Sequence, residues 1–464
     1  MIAPPRTDLL TRLPWLGRAL RSRAFPPIGM LITLAAFTLA ILAGLFGTPA
    51  GSRNFGIVFV WIVWWALLIV ILVPFFGRLW CTICPIPAPG EWLQRRGIIA
   101  HPLGRPPGRP RSLNWRWPRR LRNMWLQNFA FLGVALFSAI VLTRPGVSAG
   151  ILLSLLVAGV GMSMLFSNRV FCRYVCPVGG FIGLYSMMAP LELRVADPAV
   201  CADHKTKDCI TGNEHGYGCP WMVFPGSLTR NVYCGLCTEC LKTCPKNNIA
   251  LNLRPFGSDL LVAKERRLDE AYKAFIMLGC ALVYSAVLLG PWGWLKGWAN
   301  MDSLPHWALY AGGVLTINLL VLPGTFWLAS AVAHRLAGQA VARHRVFVDY
   351  AYALVPLGLA AWIAFSLGLV LVNGSYALSV LSDPFGWGWN LLGTADTAWI
   401  PLGPNLIGVL QVGVLTAGLM FAVHTAYRIA RQHNDAHRPA FRAMLPVTAY
   451  LLTATFALLA LYLG

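Results

Sequence analysis

Nine long runs of apolar residues limit what this chain can fold into more than any other feature of its sequence. About 20 consecutive apolar residues cross the hydrocarbon core of a bilayer. Charged residues form 12% of the 464 residues, whereas about a quarter is usual in soluble domains. The pattern predicts an all-α polytopic membrane protein with about nine transmembrane helices. The runs cover roughly residues 26–46, 55–76, 124–143, 148–167, 271–290, 307–333, 348–373, 404–427 and 443–463.

Lysine and arginine are distributed unevenly between the loops on the two sides of the predicted membrane region. When loops alternate from an inside N-terminus, all but Arg53, Arg144 and Lys296 of the 38 Lys and Arg residues fall on one side. This is the asymmetry of the positive-inside rule. We therefore expect a cytoplasmic N-terminus and an external C-terminus. The net charge of +21 then belongs to cytoplasmic loops that face lipid headgroups, and nucleic acid is not an expected partner.

A short cysteine motif occurs twice in the first half of the chain, once in residues 77–85 (GRLWCTICP) and once in residues 168–177 (NRVFCRYVCP). Each copy reads arginine, one residue, an aromatic residue, cysteine, a spacer and Cys-Pro. Each follows a helix that runs from outside to inside, so we expect two cysteine pairs at one membrane depth. The spacers differ by one residue, so the two pairs are similar but not identical: Cys81 and Cys84, then Cys172 and Cys176.

The apolar runs and the polar stretches between them predict four segments. Residues 1–25 form a basic cytoplasmic tail, and residues 26–168 form a four-helix membrane region that contains the cysteine repeat. Its first run is too long for the apolar part of a signal peptide, so we expect it to remain as an anchor. Residues 169–265 form an inserted cytoplasmic ferredoxin-like segment, and residues 266–464 form a five-helix membrane region. The Pro- and Arg-rich loop between the two repeat copies is either a solvated connector or a docking surface for an acidic protein or lipid.

Four further cysteines have the spacing of a bacterial ferredoxin: Cys234, Cys237, Cys240 and Cys244, with Pro245 directly after the last. Three thiolates two residues apart can bind one 4Fe–4S cluster, while the fourth points toward a neighbouring cluster. Four cysteines can also bind a structural zinc ion. The regular triple spacing and the Cys-Pro ending favour iron and sulfide over zinc.

A second cluster needs further ligands, and the candidates lie upstream at Cys201, Cys209 and Cys219. Together with the ferredoxin run they make seven cysteines, one fewer than two complete clusters require. His204, a hydroxide or a cysteine of the repeat could supply the missing ligand. Cys219 precedes a proline and could instead complete the first cluster, and the four repeat cysteines could bind a third cluster by themselves. The sequence therefore predicts two or more 4Fe–4S clusters and leaves their pairing open.

This combination of motifs resembles the membrane polyferredoxins over roughly residues 26–265. That family includes the quinol dehydrogenase subunit of periplasmic nitrate reductase systems, the nitrous-oxide-reductase accessory protein and the cupric reductase of cytochrome oxidase assembly. Six cysteines match the family pattern residue by residue: Cys172, Cys176, Cys234, Cys237, Cys240 and Cys244. Cys81 and Cys84 depart from it through their shorter spacer, and the segment from Cys201 to Cys219 is not an ordinary second ferredoxin run. The last four predicted helices have no counterpart in the resemblance.

The resemblance implies an electron-transfer protein of the bacterial inner membrane with iron–sulfur clusters on the cytoplasmic side. Such an oxidoreductase would act like a quinol dehydrogenase, between the quinone pool or a cytoplasmic donor and an unidentified membrane or periplasmic redox partner. The alternative is a maturation factor that reduces a metal, or a redox sensor. Only the first should oxidise a quinol analogue at an enzymatic rate. A permease is disfavoured because the predicted helices carry almost no charge.

Two histidines near the inner ends of predicted helices, His334 and His424, could bind a quinone headgroup or ligate haem b. Histidines beside arginine at a helix end are more often interfacial, so haem b is not expected and quinone binding stays open. The remaining cysteine, Cys280, lies within an apolar run, and we interpret it as a small buried hydrophobic residue.

The charge asymmetry predicts the outcome of a reporter-fusion experiment. A fusion at Gly464 should report an external position and a fusion at Ser258 a cytoplasmic one, because the basic loops keep their side of the bilayer. Paired alkaline phosphatase and fluorescent-protein fusions measure this directly. The reverse signal at either position would contradict the assignment of sides.

Overall fold

Helices form most of the structure. The computed structural model describes residues 6–99, 112–337 and 341–463. Within these ranges, eight helices are long and apolar enough to cross a membrane, and each coincides with one of the predicted runs. They confirm a multi-pass membrane protein, whereas its sidedness stays a prediction. The eight spans are Pro27–Phe46, Phe55–Phe76, Pro145–Leu165, Leu268–Leu289, Leu304–Ala337, Arg343–Asn373, Pro404–His433 and His437–Leu463.

The ninth predicted run, residues 124–143, is divided into two shorter helices, Trp125–Ala135 and Ala139–Leu142. The break falls at Ser138, whose hydroxyl oxygen accepts the N–H of Val141 at 3.2 Å and caps the second helix. The same hydroxyl donates to Oδ1 of Asn300 at 2.7 Å. Neither helix alone has the length of a span, so the prediction of nine spanning helices holds for eight of the runs.

Several spans depart from regular α-helix. Phe55–Phe76 contains two π-helical stretches, Val58–Trp64 and Leu67–Leu72, and Leu304–Ala337 contains a third at Ile317–Val321. Shorter α-helices connect and flank the spans at Leu9–Arg12, Pro14–Arg21, Leu79–Ile83, Ala88–Arg95, Pro177–Tyr185, Pro198–Asp203, Asp208–Thr211, Glu239–Thr243, Gly293–Ala299 and Tyr376–Ser382, with a π-helical turn at Phe171–Val175.

The chain divides into two compact units. The first, which we call the cysteine-rich unit, comprises Met1–Thr38, Ile71–Gln127 and Ile151–Asp259, and it contains eleven of the twelve cysteines. The second, the helical unit, comprises Leu39–Val70, Asn128–Gly150 and Leu260–Gly464. It contains Cys280, which is 1% exposed and therefore buried as expected.

A small antiparallel sheet organises the cysteine-rich unit. Its central strand, Ile249–Leu253, pairs with Leu191–Val195 on one side and with Thr7–Asp8 on the other. In register, Leu193 faces Leu251. Apolar side chains of the two longer strands pack in one core with residues of the cysteine loops, so the sheet supports these loops. The strands contribute Leu191, Leu193, Ile249 and Leu251, and the loops contribute Cys209, Leu236, Cys240 and Leu241.

The N-terminal segment is part of this unit through specific contacts. Its strand Thr7–Asp8 pairs with the end of the central strand, and the helix Pro14–Arg21 follows shortly after. The carbonyl of Leu20 accepts the hydroxyl of Thr238 at 3.0 Å, within the ferredoxin run. Residues that look like a basic tail in the sequence therefore bind the loop that carries the cysteines.

A buried ionic network joins the sheet to the start of the ferredoxin run. Nη1 of Arg254 lies 2.5 Å from Oδ1 of Asp259 and 2.8 Å from Oε2 of Glu192, and all three residues are almost fully buried. The other carboxylate oxygen of Asp259 accepts the N–H of Asn231 at 2.6 Å. Asn231 also donates its side-chain amide to the carbonyl of Leu191 at 2.8 Å. The network thus fixes the backbone three residues before Cys234.

Aromatic side chains pack around Trp362 in the helical unit, and this tryptophan is 2% exposed. Its indole N–H donates to the carbonyl of Met277 at 2.9 Å, and its ring contacts Tyr284 and Trp65 edge-on. These contacts satisfy the polar atom of a large buried side chain and fill the space between helices.

Buried charges occur inside two spans of the helical unit, which the sequence argument against a permease did not anticipate. The carboxylate of Asp349 lies 3.0 Å from Nε2 of His433 and 3.2 Å from Nε of Arg345. Glu270 accepts a hydrogen bond from the hydroxyl of Tyr352. Asp349 and Glu270 thus have polar partners. The buried charged residues in these two spans include Glu270, Lys273 and Asp349.

The network around Asp259 predicts a specific loss of stability. Asp259→Asn removes one of the two carboxylates that compensate Arg254 and should cost about 1.5–3 kcal/mol, because a buried hydrogen bond between charged groups is lost while Glu192 still pairs with Arg254. Thermal unfolding of the detergent-solubilised protein measures the change. Asp396→Asn is the control, since Asp396 is exposed and its replacement should change stability by about 0.5 kcal/mol or less. Equal unfolding temperatures for the two variants would contradict this interpretation.

Candidate metal centres

The two cysteine pairs of the repeat come together in the cysteine-rich unit. Burial raises the pKa of the Cys172 thiol well above its usual value, and the neighbouring thiols of Cys176, Cys84 and Cys81 raise it further. Burial likewise raises the pKa of Cys84, to which Cys81 and Cys176 add. For Cys176 burial raises the pKa to about 11, with Cys81 again contributing. Each thiol therefore lies within electrostatic range of the other three, and we call these four cysteines the hairpin group.

Arg169, from the second copy of the repeat, holds the two hairpins in this arrangement. Its Nη1 donates to the carbonyl of Cys81 at 2.7 Å, in the first copy. Its Nε and Nη2 donate to Oε2 of Glu91 at 3.0 and 2.6 Å. Burial acts to raise the pKa of Glu91, but Arg169 and Arg95 reverse this and lower it below its usual value. The two side chains form a buried ion pair between the hairpins, in which two N–H groups of the guanidinium share one carboxylate oxygen.

Three cysteines of the ferredoxin run, Cys234, Cys237 and Cys240, gather around Cys219. Burial raises the pKa of each of these three thiols, and in each case Cys219 adds to the increase. Cys240 is also raised by Cys237 and Cys234. We call these four the ferredoxin group. Of the two roles that the sequence left open for Cys219, its electrostatic effect on all three of these thiols favours membership of this group.

The remaining three cysteines, Cys201, Cys209 and Cys244, gather at Asn248. The backbone N–H of Asn248 donates to Sγ of Cys244 at 3.3 Å, and its side-chain amide donates to Sγ of Cys201 at 3.4 Å. Burial raises the pKa of Cys209 to about 11, and Cys201 and Cys244 contribute. We call these three the Asn248 group. The ring of His204 lies 2.9 Å from the hydroxyl of Thr206.

Hydrogen bonds between loops arrange the three groups in series. The hydroxyl of Thr82, in the first hairpin, donates to the carbonyl of Gly235. In the second hairpin, the N–H of Arg169 donates to the carbonyl of Pro220 at 2.9 Å. The hairpins thus bind both chain segments of the ferredoxin group. The N–H of Cys219 donates to the carbonyl of Cys209 at 2.9 Å, which joins the ferredoxin group to the Asn248 group.

Gly235 is required by close packing at the centre of this series. A Cβ atom there would lie 2.0 Å from Nε1 of Trp221, whose side chain is 1% exposed. The indole therefore packs directly against the backbone between the first two cysteines of the ferredoxin run. Any larger residue at this position would displace either the indole or the loop.

The donor set suits iron–sulfur clusters. The cysteines are free thiols, and none of the eleven in the cysteine-rich unit is fully exposed. No three His, Cys, Asp or Glu side chains among residues 6–99, 112–337 and 341–463 are placed so that one metal ion could bind them all. A 4Fe–4S cluster makes a different demand, because four thiolates surround it and bind its separate iron atoms. Two groups of four cysteines have the composition for one cluster each, and the Asn248 group has three of the four thiolates.

Two segments of the chain match the family described as a 4Fe-4S binding domain, residues 57–106 and 148–191. The first segment contains Cys81 and Cys84, and the second contains Cys172 and Cys176. The matches therefore cover the two copies of the cysteine repeat. The ferredoxin run lies outside them, and its assignment as an inserted ferredoxin segment stays a prediction.

One curated relative is the protein named "Putative electron transport protein YccM" of Escherichia coli (strain K12), which is 28% identical over 86 residues. The match covers 18% of this chain and 22% of that protein. No solved structure matches the chain significantly. Together with the 4Fe-4S domain, this relative confirms the resemblance to a membrane polyferredoxin family. The chain spans only about a fifth of the length of this curated relative.

The two histidines that the sequence singled out are not brought into one site by any contact in the described ranges. The ring of His334 lies 2.8 Å from the carbonyl of Val341, and His424 is exposed on its helix. In contrast, sequence reasoning passed over Asn248, which donates to two cysteine sulfur atoms, Trp221, which packs against Gly235, and Glu91, which pairs with Arg169. The repeated arginine of the motif was the only signal that could have pointed to any of these contacts.

The grouping around Cys219 leads to a prediction about iron content. Cys219→Ser should lose about four irons per chain relative to the unmodified protein, because a serine hydroxyl is a poor ligand beside thiolates. Cys280→Ser is the matched control, since Cys280 is buried in a helix of the other unit and should keep full iron. Iron and acid-labile sulfide are measured after anaerobic purification. Full iron in Cys219→Ser would show that Cys219 is not a ligand.

Proposed function

We propose that this protein is a membrane-bound iron–sulfur electron-transfer protein that relays electrons between quinol, or a cytoplasmic donor, and a membrane or periplasmic redox partner. The observation that carries the proposal is the series of three cysteine groups joined by hydrogen bonds within one unit. A single cluster site would serve many purposes, but sites in series provide a route along which electrons can pass. The 4Fe-4S domain matches at both hairpins support the same function.

Each cysteine group has a proposed cofactor. The hairpin group would hold one 4Fe–4S cluster and the ferredoxin group a second, each through four thiolates. The Asn248 group would hold a third with one ligand that is not cysteine, for which His204 and hydroxide are candidates. When bound, such clusters supply one-electron transfer at potentials that the surrounding protein sets.

The residues of the chain prepare these sites in three ways. Burial raises the pKa of the Cys172 and Cys237 thiols, so these two stay protonated until metal binds and displaces the protons. Asn248 donates hydrogen bonds to two sulfur atoms, and such bonds stabilise negative charge on a thiolate. The ion pair of Arg169 with Glu91 keeps the two hairpins together so that the four thiols stay grouped.

The membrane setting supports a lipid-soluble donor. Eight apolar helices belong to the same chain as the cysteine groups, so the protein and a quinol dissolved in the bilayer share the same membrane. The excess of lysine and arginine on one set of loops supports a cytoplasmic position for the cysteine-rich unit in a bacterial inner membrane. The relative named for electron transport supports the reaction class, although not the donor.

Replacement of Cys176 tests the proposed route. We expect Cys176→Ser to abolish reduction of the remaining clusters by a quinol analogue, because the hairpin group is then incomplete. Dithionite, which is soluble, should still reduce those clusters. EPR spectra of protein in proteoliposomes distinguish the two reductants, and Cys280→Ser should behave like the unmodified protein.

Three results would contradict the proposal. Quinol-dependent reduction at the unmodified rate in Cys176→Ser would exclude the hairpin group from the route. Purified protein with stoichiometric zinc and no acid-labile sulfide would remove the clusters altogether. Clusters that accept electrons from dithionite but never from quinol at an enzymatic rate would favour a sensor or a maturation factor.

A further inference from the structure

The two arginines of the cysteine repeat, Arg78 and Arg169, occupy equivalent sequence positions but have different surroundings. Each precedes the first cysteine of its hairpin by three residues, and both are almost fully buried, at 2% and 4% exposure. Arg169 is neutralised by its ion pair with Glu91. No carboxylate pairs with Arg78 anywhere in the part of the chain that the structure describes. Arg78 therefore has no acidic partner among the described residues.

The guanidinium of Arg78 is only partly satisfied by the protein. Its Nη1 donates to the carbonyl of Val232, and its central carbon lies 4.4 Å from the ring centroid of Trp221. Nε and Nη2 are buried and have no hydrogen-bond acceptor among the described residues. A buried charge with unsatisfied donors is strongly unfavourable unless something compensates it. An anionic acceptor that is not an amino acid would supply that compensation.

The position of this guanidinium indicates which anion is involved. Nη2 lies 3.5 Å from the point where a Cβ on Gly179 would stand, and the N–H of Gly179 donates to Sγ of Cys176 at 3.2 Å. On its other side, Arg78 binds the carbonyl of Val232, two residues before Cys234. The charge of Arg78 therefore lies between the hairpin group and the ferredoxin group.

The electrostatic effects on the thiols agree with this position. Burial raises the pKa of both Cys176 and Cys234, and the charge of Arg78 opposes the increase at each. One guanidinium thus acts on a member of both groups. Gly183 makes room for it, since a Cβ there would lie 2.9 Å from Nη1 of Arg78.

We propose that Arg78 is an additional cluster-binding residue, which presents its unpaired N–H groups to the iron–sulfur clusters of the hairpin and ferredoxin groups and raises their reduction potentials. The inference rests on the proposed function, because it requires clusters at both groups. Reduction adds one electron, and so one negative charge, to a cluster without breaking a bond. A nearby positive charge favours the reduced form, and net charge and hydrogen bonds to sulfur are known determinants of cluster potential.

Arg78 is a positioning residue for electron transfer and not a catalytic residue, since no substrate bond changes at its atoms. Arg169 occupies the equivalent position in the second copy, but its charge is paired with Glu91 and its role is structural. The asymmetry gives the two copies of the repeat different tasks. The arginine of the second copy holds the two hairpins together, and the arginine of the first copy supplies positive charge to the clusters.

Redox titration of Arg78 variants tests this assignment. We expect Arg78→Gln to lower the equilibrium constant for reduction of at least one cluster by tenfold or more, which is about 59 mV for a one-electron couple. Arg78→Lys keeps a positive charge and should show a smaller shift. Arg96→Gln is the matched control, because Arg96 is exposed in the same unit and its loss removes the same charge. EPR-monitored titrations of purified protein give the potentials, and iron assays confirm equal loading.

Several outcomes would overturn the inference. Potentials of Arg78→Gln equal to those of the unmodified protein would do so, as would equal shifts in Arg78→Gln and Arg78→Lys. If Arg78→Gln loses its iron, the cluster potentials of Gly183→Ala test the inference instead. The added methyl group displaces the guanidinium of Arg78 without removing its charge. Unchanged potentials in Gly183→Ala would then count against Arg78. Absence of clusters from the unmodified protein would defeat the proposed function itself, which separates the two failures.

Discussion

The buried ion pair between Arg169 and Glu91 is the interaction on which the arrangement of the cysteine-rich unit depends. It joins the two hairpins of the repeat in the protein interior, where neither charge could be hydrated if its partner were lost. The same arginine binds the carbonyl of Cys81 through its side chain and that of Pro220 through its backbone. One residue therefore links the hairpin group to the segment that carries Cys219, and the order of the cysteine groups follows from it.

Burial gives this unit both its chemistry and its main energetic difficulty. Thiols that are shielded from water ionise poorly, so the cysteine groups become anionic only when a metal replaces their protons. Negative charge formed there needs compensation from the protein itself. The buried guanidinium group of Arg78 is fixed in advance of that charge. A site of this kind does not need to reorganise when an electron arrives, because the compensating charge already has its position.

Local patterns in the sequence predicted the parts of the molecule that depend on nearby residues. The spacing of Cys234, Cys237 and Cys240 and the duplicated hairpin motif identified the cysteines, and apolar length identified eight helices. The partner of Cys219 could not be read from spacing, since it is decided by contacts between distant loops. The break at Ser138 depends on Asn300, which is far away in the chain. The different surroundings of Arg78 and Arg169 likewise arise from Glu91, which neither motif contains.

The short strand Thr7–Asp8 has a consequence for how the protein is made. It pairs with the strand that ends at Leu253, and the carbonyl of Leu20 accepts a bond from Thr238. These first residues leave the ribosome long before their partners exist, and several membrane helices are synthesised in between. Contacts between such distant parts of a chain form late. The cysteine-rich unit therefore has to be completed after membrane insertion has begun, and metal loading that needs the finished unit follows the synthesis of the strand that ends at Leu253.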